Sequence, residues 1–423
     1  MAINEHMKSV TAYMKTACFV TIGLVVFKSF GINSRLTRHS MVLNHRLKGK
    51  TVLKTQGDFK TIGLLLVGGH HQILHLVPIA SELHTLDGLK VIIFVGNKND
   101  KGLCLEALHK LGMKNPDVRI GSTNRVCNLI SPKLTFLLCN LKTWNSLDAL
   151  ITVERTSTIL RYFSKKLPPM IHIPHGAGDR AKSYDPRIRH FDNVLVAGEK
   201  DKARMMELGL VSDENCKVTG YIKPYAVKQM AYDLPVLFKT KRPTVLYNPH
   251  FCRDLSSWEP FGQQLLESFS RTADFNFIFA PHMRLFANAS NMLRNHIGSY
   301  SEFENVHIDL GSHYSTEMTY TRLADIYLGD VSSQVYEFLE TPKPCVFIGN
   351  RTIEWSDNPD YAHWNYGTVC GSVPDVMTAL KRANEDHHLY RHKQESGCLS
   401  AKGCPSWNPI KRAAQTVHSI LAT

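Results

Sequence analysis

The chain has no closely paired cysteines: ten cysteines are scattered over 423 residues, and none of them forms a C-x-x-C motif. This absence excludes a zinc ribbon and a thioredoxin-type redox site. Isolated cysteines in a chain of this size are typical of small buried residues in a reducing cytosol. The sequence also lacks an alternation of basic and aromatic residues, so nucleic acid is not an expected partner.

One apolar stretch, residues 17–27 (ACFVTIGLVVF), lies between Lys15 and Lys28. It falls short of the roughly 20 residues that a transmembrane helix needs. Lys8 and Lys15 precede it as they would in a signal peptide, but no small-x-small cleavage site follows promptly. A buried segment is a further alternative. We favour a basic, partly apolar arm that lies on the inner face of the plasma membrane.

The net charge of +13, from 50 Lys and Arg against 37 Asp and Glu, is concentrated near the N-terminus. Residues 1–60 hold ten basic and two acidic residues, so they carry +8 and the other 363 residues carry +5. We therefore predict that residues 1–57 form a basic arm with an anionic membrane surface as partner. The protein is then expected to be cytoplasmic and peripheral to the membrane.

From residue 60 onward, continuous apolar runs alternate with segments of helical spacing. A continuous apolar run is typical of a parallel strand that is covered on both faces. The runs lie at residues 61–67, 91–95, 149–153, 169–173, 193–196 and 217–219, and then at 244–247, 276–279, 306–308, 326–328 and 345–348. The pattern predicts an α/β protein with two doubly wound, Rossmann-like domains that face each other across a cleft. We place the domains at 58–225 and 240–375, with a tail at 376–423 that packs across both.

Two loops of the first domain follow strands and carry polar residues. Gly69 and His70 precede a helix, where glycine allows close approach and the helix start favours an anion, although a plain tight turn explains them equally well. His175 and Gly176 follow another strand, and a histidine there can act as a general base near neutral pH. Asp179 and Arg180 come next and could orient His175 or bind an anion; a helix cap with a solvent-facing histidine is the alternative.

Two strands of the second domain end in Pro-His. Asn248 and His250 flank the first proline, and His282 and Arg284 follow the second. Histidine and arginine at such a place would neutralise the charge that develops on a phosphate leaving group. A pair of cis-proline turns without a ligand is the alternative.

A loop of serines lies between the strand at 326–328 and a helix. Ser332, Ser333 and Gln334 follow Asp330, so hydroxyls and N–H groups at a helix start could hold a phosphate. Asp330 or Ser332 could equally be a plain helix cap, and the two roles are compatible.

Taken in order, these residues resemble the CDP-glycerol glycerophosphotransferase family, which contains the teichoic-acid primases and polymerases. The resemblance covers residues 175–348, under half of the chain. The matching pieces are His175-Gly176, residues 191–205 (FDNVLVAGEKDKARM), residues 218–223 (VTGYIK), His282, and Asp330 with Ser332 and Ser333.

The resemblance implies a GT-B fold and transfer without a metal, and no cofactor is expected. It implies that His175 is the base on the acceptor hydroxyl and that His282, Ser332 and Ser333 hold the donor pyrophosphate. The family usually has a proline directly after this histidine, where this chain has Met283. It usually has a tyrosine in the serine loop, where this chain has Val331. The donor therefore stays open between CDP-glycerol, CDP-ribitol and a nucleotide sugar.

The expected activity is transfer of a glycerophosphate or glycosyl group from a nucleotide-diphosphate donor to a hydroxyl of a membrane-associated polymer or lipid-linked acceptor. His175 and His282 are the expected catalytic residues. The donor-side residues are Asn248, His250, Arg284, Asp330, Ser332, Ser333 and Gln334, and the acceptor-side residues are Gly69, His70, Gly176, Asp179 and Arg180. Two alternatives stay open: an isomerase like the UDP-N-acetylglucosamine 2-epimerases, which share the fold, and a non-catalytic binder.

Overall fold

A computed structural model describes residues 59–123, 128–129, 131–349 and 354–422. The arm predicted at residues 1–57, with its apolar stretch, lies outside these ranges. Within them, none of the helices combines the length and the apolar character needed to cross a membrane.

The first sheet has seven parallel strands in the order β3-β2-β1-β4-β5-β6-β7. Side chains alternate between its faces: Leu64 packs into the core on one face and Leu65 into the core on the other, and both are fully buried. Burial on both faces explains why these strands are continuous apolar runs. The strands are β1 (Lys60–Leu66), β2 (Leu89–Val95), β3 (Val118–Ile120), β4 (Ala149–Thr152), β5 (Met170–His172), β6 (Asn193–Val196) and β7 (Cys216–Val218).

Helices cover both faces of this sheet. Each one joins two strands or follows the last of them, as doubly wound folds require. They are α1 (Ile73–Leu83), α2 (Lys98–Lys110), α3 (Pro132–Cys139), α4 (Leu141–Trp144), α5 (Leu160–Phe163), α6 (Glu199–Glu207) and α7 (Ile222–Met230).

The second sheet has six parallel strands in the order β10-β9-β8-β11-β12-β13. They are β8 (Thr244–Asn248), β9 (Asn276–Phe279), β10 (Val306–Ile308), β11 (Ile326–Gly329), β12 (Cys345–Ile348) and β13 (Thr368–Cys370). Its helices are α8 (Gln263–Arg271), α9 (Asn291–Gly298), α10 (His313–Thr316), α11 (Thr319–Leu323), α12 (Gln334–Phe338) and α13 (Val373–Asp386). The two sheets confirm the expected α/β class with two Rossmann-like domains.

The last two helices, α14 (Arg391–Lys402) and α15 (Pro409–Ala422), run back toward the first sheet. Ile410, Val417 and Leu421 of α15 are buried in the same core as α1. Residues 398–405, which the sequence alone does not place, form the end of α14 and the loop to α15. Gly403 ends α14 with φ 82°, a backbone conformation that favours glycine.

Shorter helical turns lie in the loops. The 3₁₀ turns are His70–Gln72, Arg155–Ile159, Ala181–Ser183, Pro186–His190, Arg253–Leu255, Ser299–Glu302, Pro359–Tyr366 and His387–Leu389, and Trp258–Gly262 is a π-helical turn. Several of them lie in the loops that follow strands, so they carry side chains near the carboxyl ends of both sheets.

Candidate active site

His175 lies in the loop after β5 and its side chain is exposed to the cleft. Two other histidines lie beside it, His71 in the turn before α1 and His75 in α1: the ring centroid of His71 is 5.9 Å from that of His175, and the centroid of His75 is 6.2 Å away. The sequence singled out His70, but the ring in contact with His175 is that of His71, which also contacts the His70 ring. Gly69 precedes this turn with φ 101°, a left-handed backbone conformation that favours glycine.

The ring of His175 is neutral at physiological pH. Protein walls close to the ring reduce its solvation, and this desolvation lowers the pKa of His175 to about 4, although the ring is open to the cleft. Glu154 raises the pKa, whereas Arg155 and Arg180 lower it. A neutral imidazole in an accessible position can accept a proton from a bound hydroxyl group.

Glu154 is a carboxylate outside the set of site residues predicted from the sequence. It follows β4, the neighbour of β5, and its Oε1 accepts hydrogen bonds from Gln72 Nε2 (2.8 Å) and Lys133 Nζ (2.6 Å). Burial opposes its ionisation, but Lys133 and Gln72 outweigh burial and hold the pKa of Glu154 below its usual value. The carboxylate is therefore ionised beside His71 and His175. Its position directly after a buried strand was the signal that could have identified it.

His250 and His282 lie side by side across the cleft, with ring centroids 5.6 Å apart. His250 Nδ1 accepts from the Cys252 N–H (3.0 Å), and His282 Nδ1 accepts from the Arg284 N–H (3.2 Å). Because the Nδ1 of a neutral His282 ring accepts, its proton lies on Nε2. Burial, with Arg180 and Arg284, lowers the pKa of His282 to about 4. His282 is therefore a neutral donor at the cleft.

The prolines of the two Pro-His turns have trans peptide bonds, so the alternative of cis-proline turns is wrong. Arg284 is exposed, and its guanidinium lies 4.3 Å from the centroid of the Phe251 ring. The Phe251 ring in turn packs against His282, with centroids 4.5 Å apart. Phe251 thus holds Arg284 and His282 at one side of the cleft.

Arg180 spans the two domains. The sequence places it on the acceptor side, but its Nη1 contacts His250 Nε2 of the second domain. Its Nε is buried and makes no hydrogen bond within the described protein. The guanidinium therefore lies at the junction, where it faces both His175 and the Pro-His turns.

Asp330, Asn248 and Ser332 hold the donor-side loops in place. The carboxylate of Asp330 is fully buried and accepts from the N–H of His250 (2.9 and 3.1 Å) and from the N–H (2.7 Å) and Oγ (2.8 Å) of Ser257. Burial raises the pKa of Asp330 to about 6, against the effect of these hydrogen bonds. Ser332 Oγ donates to Asn248 Oδ1 (2.9 Å) and accepts from the Gln334 N–H (3.3 Å). These side chains bind protein groups, so the geometry favours positioning roles for them.

Ser333, by contrast, faces the His175 loop. A Cβ added to Gly176 would lie 3.2 Å from Ser333 Oγ, and one added to Gly178 would lie 2.9 Å from Ser333 Cβ. Larger residues at either glycine would push the two loops apart. The acceptor-side and donor-side motifs of the sequence therefore meet at this contact.

Asp179 is a buried link between the domains and does not face the cleft, contrary to the acceptor-side expectation. Its carboxylate accepts from Tyr336 OH (2.9 and 2.8 Å) and His363 Nδ1 (2.8 Å), and it pairs with Lys200. Burial alone would raise its pKa, but Lys200 and His363 hold the pKa of Asp179 well below its usual range. His363 lies in a segment without a recognisable motif, and its Nε2 also reaches the Asp330 carbonyl (3.0 Å).

A second buried contact between the domains lies next to the rings of His71, His75 and His175. Lys223 Nζ is 2.8 Å from both carboxylate oxygens of Glu337 on α12, and Tyr221 OH donates to the same carboxylate at 3.0 Å. The Tyr221 ring stacks on His75 with centroids 5.9 Å apart. Contacts between the domains thus continue from α12 to the rings around His175.

The arrangement of the two sheets has counterparts among solved structures. No family model and no curated protein sequence matches the chain. It is similar in structure to S. aureus MnaA in complex with UDP, with TM-score 0.60, 15% identity, and 86% of this chain and 97% of the other covered. The UDP-GlcNAc 2-epimerase of Neisseria meningitidis bound to UDP-GlcNAc gives TM-score 0.58 and 14% identity over 86% and 100% of the two chains. The wall teichoic acid polymerase TagF gives TM-score 0.58 and 12% identity over 91% and 94%.

The fold is GT-B. The epimerases and the polymerase share this fold with the chain, and sequence identities of 12–15% establish the fold alone. Any argument about activity therefore depends on the residues of the site. In GT-B terms, the His175 loop belongs to the N-terminal domain and the Pro-His and serine loops to the C-terminal domain.

Proposed function

We propose that the protein is a transferase that moves a glycerophosphate or glycosyl group from a nucleotide-diphosphate donor to a hydroxyl group of a membrane-associated polymer or lipid-linked acceptor. The observation that carries this proposal is the pairing of a neutral, accessible imidazole on His175 with a set of donors across the cleft. His282 and Ser333 supply donors from the second domain, and Arg180 reaches the same place from the loop that carries His175. One side can take a proton, and the other can hold a departing phosphate.

In the proposed reaction, a ring nitrogen of His175 takes the proton of the acceptor hydroxyl. The oxygen forms a bond to the transferred phosphorus or anomeric carbon, and the bond to the leaving nucleotide phosphate breaks. Negative charge develops on that phosphate, where the Nε2–H of His282 and the guanidinium of Arg180 can stabilise it. Arg284 adds a further positive charge at the edge of the cleft.

The donor-side loops need to be rigid for this role, because their donors must be in place before charge develops. Asp330 fixes the backbone of His250, and Asn248 fixes Ser332, which in turn caps the start of α12. Ser333 and Gln334 are the members of this loop that are partly exposed. We assign them, with His282, to the donor phosphates.

The arm at residues 1–57 completes the proposal, since its nine basic residues against one acidic residue suit an anionic membrane surface. An acceptor that is anchored in the inner leaflet would then be held near the cleft. We therefore propose a cytoplasmic enzyme that works at the membrane surface.

The test begins with a thermal-shift screen of CDP-glycerol, CDP-ribitol and common UDP-, GDP- and CMP-sugars, followed by transfer assays with the best binder. We expect His175→Ala to keep the donor-induced rise in melting temperature but to lose roughly 10²- to 10⁴-fold in transfer rate. His84→Ala, at an exposed histidine of the same domain, is the matched control. Full transfer activity in a folded His175→Ala protein would refute the assignment.

An isomerase is the second candidate, because UDP-GlcNAc 2-epimerases are among the structures with the same fold. An isomerase needs no acceptor, so product formed from a nucleotide sugar alone would favour it. The basic arm counts against it, because a soluble isomerase has no use for a membrane-binding segment.

A further inference from the structure

Glu154 and His175 leave the first sheet from adjacent strands. Thr152 of β4 pairs in register with His172 of β5, and Glu154 and His175 follow these residues by two and three positions. Because parallel strands carry their carboxyl-terminal loops on one edge, the two side chains share one wall of the cleft.

The carboxylate of Glu154 is held by groups that fix both its position and its charge. Gln72 is fully buried; its Nε2 donates to Glu154 Oε1, and its Oε1 accepts from the Gly68 N–H (3.0 Å). Lys133 Nζ binds the same Oε1, and Thr156 Oγ1 lies 3.3 Å from Oε2. A Cβ on Gly68 would lie 2.3 Å from Glu154 Oε1, so this glycine makes room for the carboxylate.

The charged side chains around His175 have opposite effects on the protonation of its ring. Arg155 and Arg180, with Lys133, disfavour a proton on its ring, and Glu154 favours one. Glu154 has the same effect on His71, whereas Lys133 opposes it there. The other titratable neighbours, His75, His282 and the Tyr221 hydroxyl near Gly176, are uncharged at neutral pH.

We propose that Glu154 is a positioning residue whose carboxylate stabilises the imidazolium that forms on His175 when the acceptor hydroxyl gives up its proton. This inference rests on the proposed transferase function. The proton moves from the acceptor oxygen to the His175 ring, and the oxygen bonds to the transferred group while the bond from that group to the nucleotide phosphate breaks and the nucleotide leaves with the electron pair. The ring later releases the proton to solvent. The negative charge of Glu154 offsets the new positive charge where three basic side chains oppose it.

The first test follows the titration of His175 by NMR in the full-length protein without substrate, so it does not depend on the reaction. We expect Glu154→Gln to move this titration to lower pH by roughly one unit. Lys133→Gln removes a positive charge and frees Glu154, so it should move the titration to higher pH. Glu106→Gln, in an exposed pair with Lys110, is the matched control and should leave it unchanged. An unchanged His175 titration in folded Glu154→Gln or in Lys133→Gln overturns the inference.

The second test uses the transfer assay once a donor is known. Glu154→Gln should lower kcat by roughly tenfold or more and leave the donor KM nearly unchanged, because the carboxylate acts on the proton transfer. Glu154→Asp should recover part of the loss. A raised donor KM with an unchanged kcat would overturn the inference. Wild-type protein without any transfer activity would refute the proposed function, while the NMR titration would still decide the role of Glu154.

Discussion

The buried pair of Lys223 and Glu337 offers a direct test of how the two domains are joined. Their side chains are 6% and 5% exposed, and the pair links α7 of the first domain to α12 of the second. We take Lys223→Met as the perturbation. Removal of Lys223 leaves the Glu337 carboxylate buried with the Tyr221 hydroxyl as a partner, and one hydroxyl cannot replace two charge-assisted hydrogen bonds.

Breaking a buried pair from one side costs about 3–5 kcal/mol, because an uncompensated charge stays in the interior. Replacing both partners with apolar residues of similar size restores most of that loss, since no charge is then buried. We therefore expect Lys223→Met to lower the free energy of unfolding by about 3–5 kcal/mol and Lys223→Met/Glu337→Leu to lower it by about 1 kcal/mol or less. The exposed pair Lys110–Glu106 is the control, and Lys110→Met should cost no more than about 0.5 kcal/mol.

The assay is urea unfolding followed by tryptophan fluorescence. Trp144 is buried in the first domain and Trp364 in the second, so both halves of the molecule contribute to the signal. A loss under about 1 kcal/mol in Lys223→Met, or a double variant no more stable than the single one, would refute the reasoning.

Two further predictions concern acid stability and the arm. Burial lowers the pKa of His71 and His172 to about 3 and of His175 and His282 to about 4, from an ordinary value of 6.5. The unfolded chain binds these protons first, so the melting temperature should fall as the pH drops from about 6.5 toward 5, and a flat profile over that range would contradict the burial argument. Removal of residues 1–55 should weaken co-sedimentation with anionic liposomes more than it weakens donor binding, and equal loss on neutral liposomes would contradict an electrostatic arm.

The sequence predicts the sheets well because parallel strands that are buried on both faces must be continuous apolar runs. Short edge strands are predicted less consistently: of the four three-residue strands at the sheet edges, β7 and β10 are predicted and β3 and β13 are not. The ends of the predicted strands also indicate the loops of the candidate site, because the carboxyl ends of parallel strands lie at one edge of a sheet.

The partners within the site are harder to predict, because they depend on contacts between distant segments. His75 lies on a helix and His363 in a loop of the second domain, and neither belongs to a strand-end motif. Asp179 has the residue type and position of an acceptor-side group, yet Tyr336 and Lys200 take up its carboxylate. A position at the end of a strand shows that a side chain is near the cleft. The direction of the side chain depends on which groups of the other domain form hydrogen bonds or ion pairs with it.

The two domains meet at the same loops that carry the proposed chemistry, and this has a physical consequence. Gly176 and Gly178 pack against Ser333, so the backbone next to His175 touches the loop assigned to the donor phosphate. Asp179, four residues after His175, is fixed to the second domain by Tyr336 and His363. The glycine contact and the buried carboxylate of Asp179 thus help to set the distance between His175 and the loop assigned to the donor phosphate. For the proposed transfer, such fixed geometry lowers the entropic cost of bringing acceptor oxygen and leaving group into line.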